Sequence, residues 1–307
     1  MRRAFVDALY SLAEQDPRVV FLTGDMGFEM FEAFSQKYPG RYVNVGIAEA
    51  QMVCAAAGLA LEGFRPVIYS IASFATGRPY ELIKISLGYP SLPVVIIGAG
   101  GGYCYSASGP THHAADDIAL MALIPGMTVV APGDPGEVTA LLPQLLQLDS
   151  PSYMRIGKFG EPKYSADEAI LLGKARCLAA GEGVAILTTG EMAPIALSAL
   201  STLRNEHQKS PALFQFHTVK PIDAERLIAL AKSVSQLIVV EESAPSGGLY
   251  AAVIAQMAQH GIRTPIVRLG PPDEWVLGNP QRNNLRTRYG FDSHAIVRQV
   301  LEAYRNI

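Results

Sequence analysis

Four short apolar runs constrain what this chain can fold into: Val19 to Thr23, Pro66 to Ile71, Pro93 to Ile97 and Ser152 to Ile156. None has the apolar–polar alternation of a strand with one wet face, and stretches of helical length and spacing lie between them. A strand that is apolar throughout is buried on both faces. Strands that alternate with helices form a parallel sheet covered on each side. Strands at Arg41 to Val45 and Met127 to Ala131 extend the pattern. Helices are predicted at Arg2 to Gln15, Phe28 to Tyr38, from Glu49, at about Gly77 to Leu87, at Ala114 to Leu123 and at Pro135 to Leu148. A second alternating unit has strands near Val184 to Thr188, Ala212 to Phe216, Leu237 to Glu241 and Pro265 to Leu269. Its helices are expected at Ala193 to His207, Asp223 to Ser233, Gly248 to Gln259 and Ser293 to Tyr304, with Asp273 to Arg288 as a polar loop. The expected architecture is α/β: a parallel-sheet domain over residues 1–160, a linker over 161–173 and a smaller α/β domain over 174–307.

At 307 residues, 49% apolar and 17% charged, the chain has material for two hydrophobic cores. A formal net charge of −3 gives no electrostatic reason to expect nucleic acid or a membrane surface as partner. Cys54, Cys104 and Cys177 lie far apart, with neither zinc nor disulfide spacing, so reduced thiols in a cytoplasmic protein are the expectation. The N-terminus starts basic but keeps helical spacing, which is a first helix and not a signal peptide. No apolar run reaches the length of a membrane span.

Ligands on a parallel sheet bind beyond the carboxyl ends of its strands. Asp25, Gly46 to Glu49, Phe74, the loop from Gly98 to Gly102 and Arg155 all fall at such ends. Glu49 opens a helix rich in small residues (Cys54, Ala55, Ala56, Ala57, Gly58), and no other charge occurs before Glu62. Small residues let other backbones come close, so this helix is expected to be buried on more than one side. A carboxyl group there needs a hydrogen-bonding partner. A competing reading is that a first-turn acid only complements the helix dipole. The stretch from Ile85 to Ala115 holds no Asp, Glu, Lys or Arg, which suggests burial against another subunit. Gly98 to Gly102 follows neither the dinucleotide nor the P-loop spacing and reads as a close-approach loop. The adjacent His112 and His113, with Asp116 and Asp117, match no metal-ligand spacing. A single histidine held by Gly109-Pro110 as a proton donor or hydrogen-bonding group fits better.

The ordered segments GIAEAQMVCAAAGLALEGFRPVIYSIASFATGRPYE and SGPTHHAADDIALMALIPGMTVVAPGDPGE resemble the pyrimidine-binding domain of transketolases and 1-deoxyxylulose-5-phosphate synthases. FHTVKPID and VVEESAPSGGL resemble the C-terminal domain of the same enzymes. In size the chain is similar to the C-terminal subunit of a split transketolase. The GDG-type pyrophosphate and metal motif of the other half is absent. The resemblance implies thiamine diphosphate as cofactor, with Mg²⁺ held by a separate N-terminal, pyrophosphate-binding subunit in an α2β2 assembly, and a sugar as substrate. It assigns Glu49 the hydrogen bond to a pyrimidine ring nitrogen, Phe74 the stack on the pyrimidine, and Asp25 and Arg78 places beside it. His112 would face the substrate carbonyl, and Arg2 and Arg155 would bind a distal phosphate. Two rival readings share the fold: the β subunit of a 2-oxo acid dehydrogenase E1 component, and a non-catalytic assembly subunit.

The chain also departs from the family. Ser108 stands where the family has an aspartate that contacts a sugar hydroxyl, Gly100 where it has a histidine, and Glu29 where it has a serine. An acid set against Arg2 and Arg155 would repel a phosphate, so the expected substrate is unphosphorylated or otherwise modified.

Overall fold

A computed structural model describes residues 1–27, 29–158, 160–164 and 169–305. The first sheet is built from β1 (Val19–Thr23), β2 (Tyr42–Asn44), β3 (Arg65–Ile71), β4 (Val95–Ala99), β5 (Thr128–Val130) and β6 (Ser152–Ile156). These six are mutually parallel in the order β5-β6-β4-β3-β1-β2. The second sheet holds β7 (Arg176–Ala179), β8 (Val184–Thr188), β9 (Ala212–Gln215), β11 (Gln236–Val240) and β12 (Ile266–Leu269), in the order β12-β11-β8-β9-β7. Between β9 and β11 the chain returns to the first sheet: β10 (Thr218–Lys220) pairs antiparallel with β5 as its seventh strand.

The apolar runs are central strands, and their side chains divide between two cores. In β1, Val19 and Phe21 point to one face while Val20 and Leu22 point to the other, all of them buried. The second sheet divides in the same way, with Ile186 and Ile238 on one side and Leu187 and Val239 on the other. The α/β architecture expected from the sequence is therefore the observed one. Pairing register aligns the strand ends: Thr23 lies beside Tyr69, Ser70 beside Gly98, and Gly98 beside Arg155. Among the described residues no helix is long and apolar enough to cross a membrane.

Several elements differ from expectation, each for a local reason. The helix expected at Gly77 to Leu87 is broken into Ala72–Thr76, Tyr80–Leu82 and a wider turn at Ile83–Gly88. Pro79 has no N–H to continue a helix, and it separates the first two pieces. The helix expected from Ala114 starts at Asp117, because Ala114 instead bridges back to Gly102. The strand placed at Pro93 to Ile97 lies at Val95–Ala99, since Gly98 and Ala99 still pair with Arg155 and Ile156. The helix expected from Phe28 is Glu32–Lys37, Phe28 itself lying outside the described residues. The polar loop at Asp273 to Arg288 contains a helix, Arg282–Arg288. Strands β7 and β10 are additions to the expected set. Each is short and lies at a sheet edge, where pairing depends on a distant partner. The Lys220 ammonium secures β10 by donating to the carbonyls of Ala122 and Ile124, both at 2.7 Å.

The helix that Glu49 opens (Glu49–Leu61) buries one side only, through Met52, Val53, Ala56, Ala57 and Ala60. Its other side leaves Gln51, Cys54 and Gly58 exposed, and Ile47 and Leu61 with them. The uncharged stretch Ile85 to Ala115 is explained mainly by this chain's own core, since Val94 to Cys104 are all buried. Ile85 and Tyr89 are its large exposed residues.

Helix Arg282–Arg288 locks the two units together. Arg282 donates to Glu242 Oε1 at 2.8 Å and to both Glu191 oxygens at 2.8 and 2.9 Å. Arg286 grips Glu242 Oε2 through two nitrogens at 2.8 and 2.9 Å. Glu242 Oε1 also accepts the Tyr103 backbone N–H at 2.7 Å, which ties the lock to the first unit. Burial opposes the charge on Glu242, but Arg282 and Arg286 outweigh it and hold the carboxyl at about 2. A depressed carboxyl contributes stability that is fully present above its ordinary value and is lost as pH falls toward the folded value. Glu242→Ala should cost about 3–5 kcal/mol in urea denaturation at pH 7, because it leaves the buried Arg286 guanidinium without its carboxylate and Arg282 with Glu191 alone. Glu242→Gln should reduce the loss of stability that the wild type undergoes as pH falls from about 4.5 to about 2.

Candidate active site

The carboxyl ends of β1 and β3 meet at Glu49, which Gly24 and Ser70 approach. The Glu49 side chain is buried (3% exposed), and its two oxygens have separate donors. Ser70, near the end of β3, donates its hydroxyl to Oε1 at 3.1 Å, and Arg78 Nη1 donates to Oε2 at 3.2 Å. Gly24 brings the β1 end against this carboxylate: a Cβ there would lie 3.7 Å from Oε1.

Phe74 follows β3 on the short helix Ala72–Thr76 and forms the neighbouring wall. The guanidinium carbon of Arg78 lies 4.0 Å from the Phe74 ring centre. The His112 ring meets Phe74 at 5.0 Å and an angle of 62°. Glu49, Phe74, Arg78 and His112 are thus brought into one contiguous group.

His112 is presented by a loop closed at its base by paired backbone bonds, Gly102 N–H to the Ala114 carbonyl at 3.0 Å and Ala114 N–H to the Gly102 carbonyl at 2.9 Å. Ser73 reaches this loop by donating to the Thr111 carbonyl at 3.2 Å, and the Thr111 hydroxyl shares a hydrogen bond with His112 Nδ1 at 2.9 Å. Burial lowers the pKa of His112, and the charges of Arg78, His113 and Lys158 lower it further. A histidine poised this way is largely neutral near pH 7 and can accept a proton. The adjacent His113 faces elsewhere, its ring 5.0 Å from Tyr103 and its Nε2 donating to the Ser106 carbonyl at 3.2 Å. The two histidines do not converge on a common point. Among the described residues no group of three or more His, Cys, Asp or Glu is placed to hold a metal.

Asp25 adopts φ 55 at the end of β1 and is held by Asn44. Its N–H donates to Asn44 Oδ1 at 3.0 Å, and Asn44 Nδ2 donates to Asp25 Oδ1 at 3.2 Å. The same Asn44 oxygen accepts the Gly46 N–H at 2.9 Å, so one amide ties the two strand ends that flank Glu49. Sequence reasoning alone does not find Asn44 or Ser70. A polar residue closing a short strand two residues before a glycine is the signal available for Asn44.

Arg155 is not placed as expected. It is buried, and it pairs with both oxygens of Asp117 and donates to the carbonyls of Ala114 and Glu242, each at 3.1 Å. With its guanidinium committed in this way, it is a clamp inside the protein and does not face a substrate. Arg2 lies apart from it, donating to the Lys158 carbonyl at 3.0 Å beside a cavity of about 280 Å³. Glu29 sits on an exposed left-handed turn, its N–H donating to Glu32 at 2.6 Å. Ser108 is exposed on the His112 loop. Gly100 has φ +74, and a Cβ there would come within 2.2 Å of Tyr105. The Tyr105 ring therefore fills the room that a side chain at position 100 would need. It also stands 5.8 Å from His112, with Lys158 Nζ 3.9 Å from its centre.

The family models "Transketolase, pyrimidine binding domain" and "Transketolase, C-terminal domain" match residues 1–159 and 173–296. One subunit of the apulose-4-phosphate transketolase of Phocaeicola vulgatus is 34% identical over 98% of this chain and 96% of its own length. A 6-deoxy-6-sulfo-D-fructose transketolase subunit of Clostridium sp. is also 34% identical, over 98% of this chain and 94% of its own. A solved structure described as a split gene transketolase, inactive beta4 tetramer, superposes with a TM-score of 0.88 at 30% identity, covering 98% of this chain and 97% of that one.

The electrostatics of His112 can be tested directly. Arg78→Gln removes a nearby positive charge, so the His112 midpoint in an NMR titration should move up. It should stay below the ordinary value of 6.5, because burial is the larger cause of the shift.

Proposed function

The chain belongs to the transketolase family, and on that premise we propose that it is the catalytic-glutamate subunit of a two-component, thiamine-diphosphate-dependent transketolase. It would transfer a two-carbon ketol unit from a ketose to an aldehyde. The observation that carries this reading is the buried Glu49 carboxylate at the start of a helix, next to the Phe74 ring and 3.1 Å from Ser70. That donor set suits an aminopyrimidine, which needs an in-plane carboxyl partner and a flat apolar surface.

When bound, thiamine diphosphate supplies a nucleophilic carbon that accepts and releases the two-carbon unit. Glu49 would hold the hydrogen bond at a ring nitrogen, oriented by Ser70. Phe74 would support the ring, and Asp25 would line the same cleft through the loop that Asn44 fixes. His112, lowered in pKa and open to the cleft, would donate to or accept from the substrate oxygen. Mg²⁺ and the pyrophosphate would be held by a partner subunit. Two observations support such a partner: this sequence carries no pyrophosphate motif, and Ile47, just before Glu49, is exposed. An α2β2 assembly and a cytoplasmic location belong to the same proposal. Two relatives matched over nearly their whole length are transketolase subunits, which favours this reading over a 2-oxo acid dehydrogenase component. The Glu49–Phe74–His112 group favours it over a non-catalytic assembly subunit.

The charge argument for an unphosphorylated or otherwise modified substrate weakens, because Arg155 is committed to Asp117 and Glu29 sits on an exposed turn, while the departures at Gly100 and Ser108 remain. Arg2 and Lys158 supply the positive charge near Tyr105 and His112. The names of two relatives specify substrates with a phosphate or a sulfo group. A ketose with an anionic end is the better reading. In the reconstituted complex, kcat/KM for xylulose 5-phosphate should exceed that for xylulose by about a hundredfold, roughly 2.7 kcal/mol. Equal values would refute an anion-reading site.

Glu49→Gln keeps the shape of the side chain but removes its acid–base function. The complex should still take up thiamine diphosphate in calorimetry, while ketol transfer falls by about a hundredfold or more. Near-wild-type turnover in this variant would overturn the assignment of Glu49.

A further inference from the structure

The Arg78 guanidinium makes two contacts at once: its carbon lies 4.0 Å from the Phe74 ring centre, and Nη1 donates to Glu49 Oε2 at 3.2 Å. A guanidinium is planar and carries its N–H donors in that plane. An aminopyrimidine held by the same two residues would need the same things, a flat contact with Phe74 and an in-plane hydrogen bond to Glu49. Ser70 already occupies Oε1, so Oε2 is the oxygen to be shared. Arg78 and the ring compete for it.

We propose that Arg78 is a stand-in for the cofactor's pyrimidine: it fills the cradle and pairs with Glu49 until the ring displaces it. This rests on the reading of the chain as a thiamine-diphosphate-dependent subunit. The Arg78 side chain is 51% exposed, against 3% for Glu49, so it can swing into solvent by rotamer change while the carboxylate stays in place. Without Arg78, the cleft would hold a buried carboxylate with a single hydroxyl donor, a costly state that the guanidinium relieves. The same contact costs cofactor affinity, because a ligand finds only those molecules whose cradle is open. A cradle filled by Arg78 about 90% of the time lowers apparent affinity about tenfold.

The test is a calorimetric titration of thiamine diphosphate into the complex of this chain with its pyrophosphate-binding partner. Wild type is compared with Arg78→Ala and Arg78→Lys, and far-ultraviolet circular dichroism checks that the variants fold. Neither alanine nor lysine offers a planar fork, so both variants should bind about fivefold to tenfold more tightly than wild type. Lysine keeps the positive charge and thereby isolates the planar contact. Affinity in Arg78→Ala that is unchanged within about twofold, or weaker, while wild type binds would overturn the stand-in and leave the functional reading intact. A gain in Arg78→Ala that Arg78→Lys does not share would assign the effect to charge alone and overturn it too. No uptake by any form would overturn both the inference and the reading beneath it.

Discussion

The arrangement around the cleft depends on the buried pair of Arg155 and Asp117. Arg155 lies next to the end of β6, Asp117 starts the earlier helix Asp117–Ala122, and the guanidinium also takes the carbonyls of Ala114 and Glu242. Burying two charges costs several kcal/mol per ion, and attraction in the interior offsets this only when the remaining donors are satisfied. Here the donors go to the base of the His112 loop and to the second unit. One side chain thus ties the loop, the end of β6 and the second unit together. This explains why an arginine at a strand end, where ligands bind, is spent on structure.

Glu49 poses the complementary problem. Its carboxylate is buried, but its partners are a neutral hydroxyl and an arginine that is half exposed. The pair has one fixed member and one movable one. A structural ion pair such as Arg155–Asp117, with both side chains under a tenth exposed, has no such asymmetry. The contrast separates a charge placed for stability from one placed to meet something that arrives from outside.

Much of this is legible in the sequence. The central strands are legible because burial on both faces leaves an unbroken apolar run, and β1 and β6 match their expected limits. Glu49, Phe74 and His112 stand out as residues at strand ends and loops, Arg78 enters only through the family resemblance, and the structure brings the four together. What is not legible depends on distant partners. β10 lies about ninety residues beyond the strand it joins, and nothing local in Thr218 to Lys220 marks that pairing. Arg155 stands in the right place on the sheet, but its commitment is made by Asp117, and which side chain of a neighbouring helix meets it is decided by tertiary packing. The placement of Lys158 and Arg2 is equally beyond reach of the sequence, since Lys158 lies over the Tyr105 ring, which in turn packs on Gly100.

Gly100 and Tyr105 show how a departure from a family pattern can be physically self-consistent. With φ +74, position 100 favours glycine, and the Tyr105 ring then lies against its backbone. A histidine at 100 would meet that ring, and a small residue at 105 would leave a void beside His112. In this chain the Tyr105 ring thus packs against Gly100 and stands next to both His112 and Lys158. Glu49 is held elsewhere, by the Ser70 hydroxyl at the end of β3 and the close approach of Gly24 after the adjacent β1. Under the proposed function, substrate recognition by the His112 loop and cofactor positioning by Glu49 and Phe74 would come from different elements that touch through the Phe74–His112 ring contact.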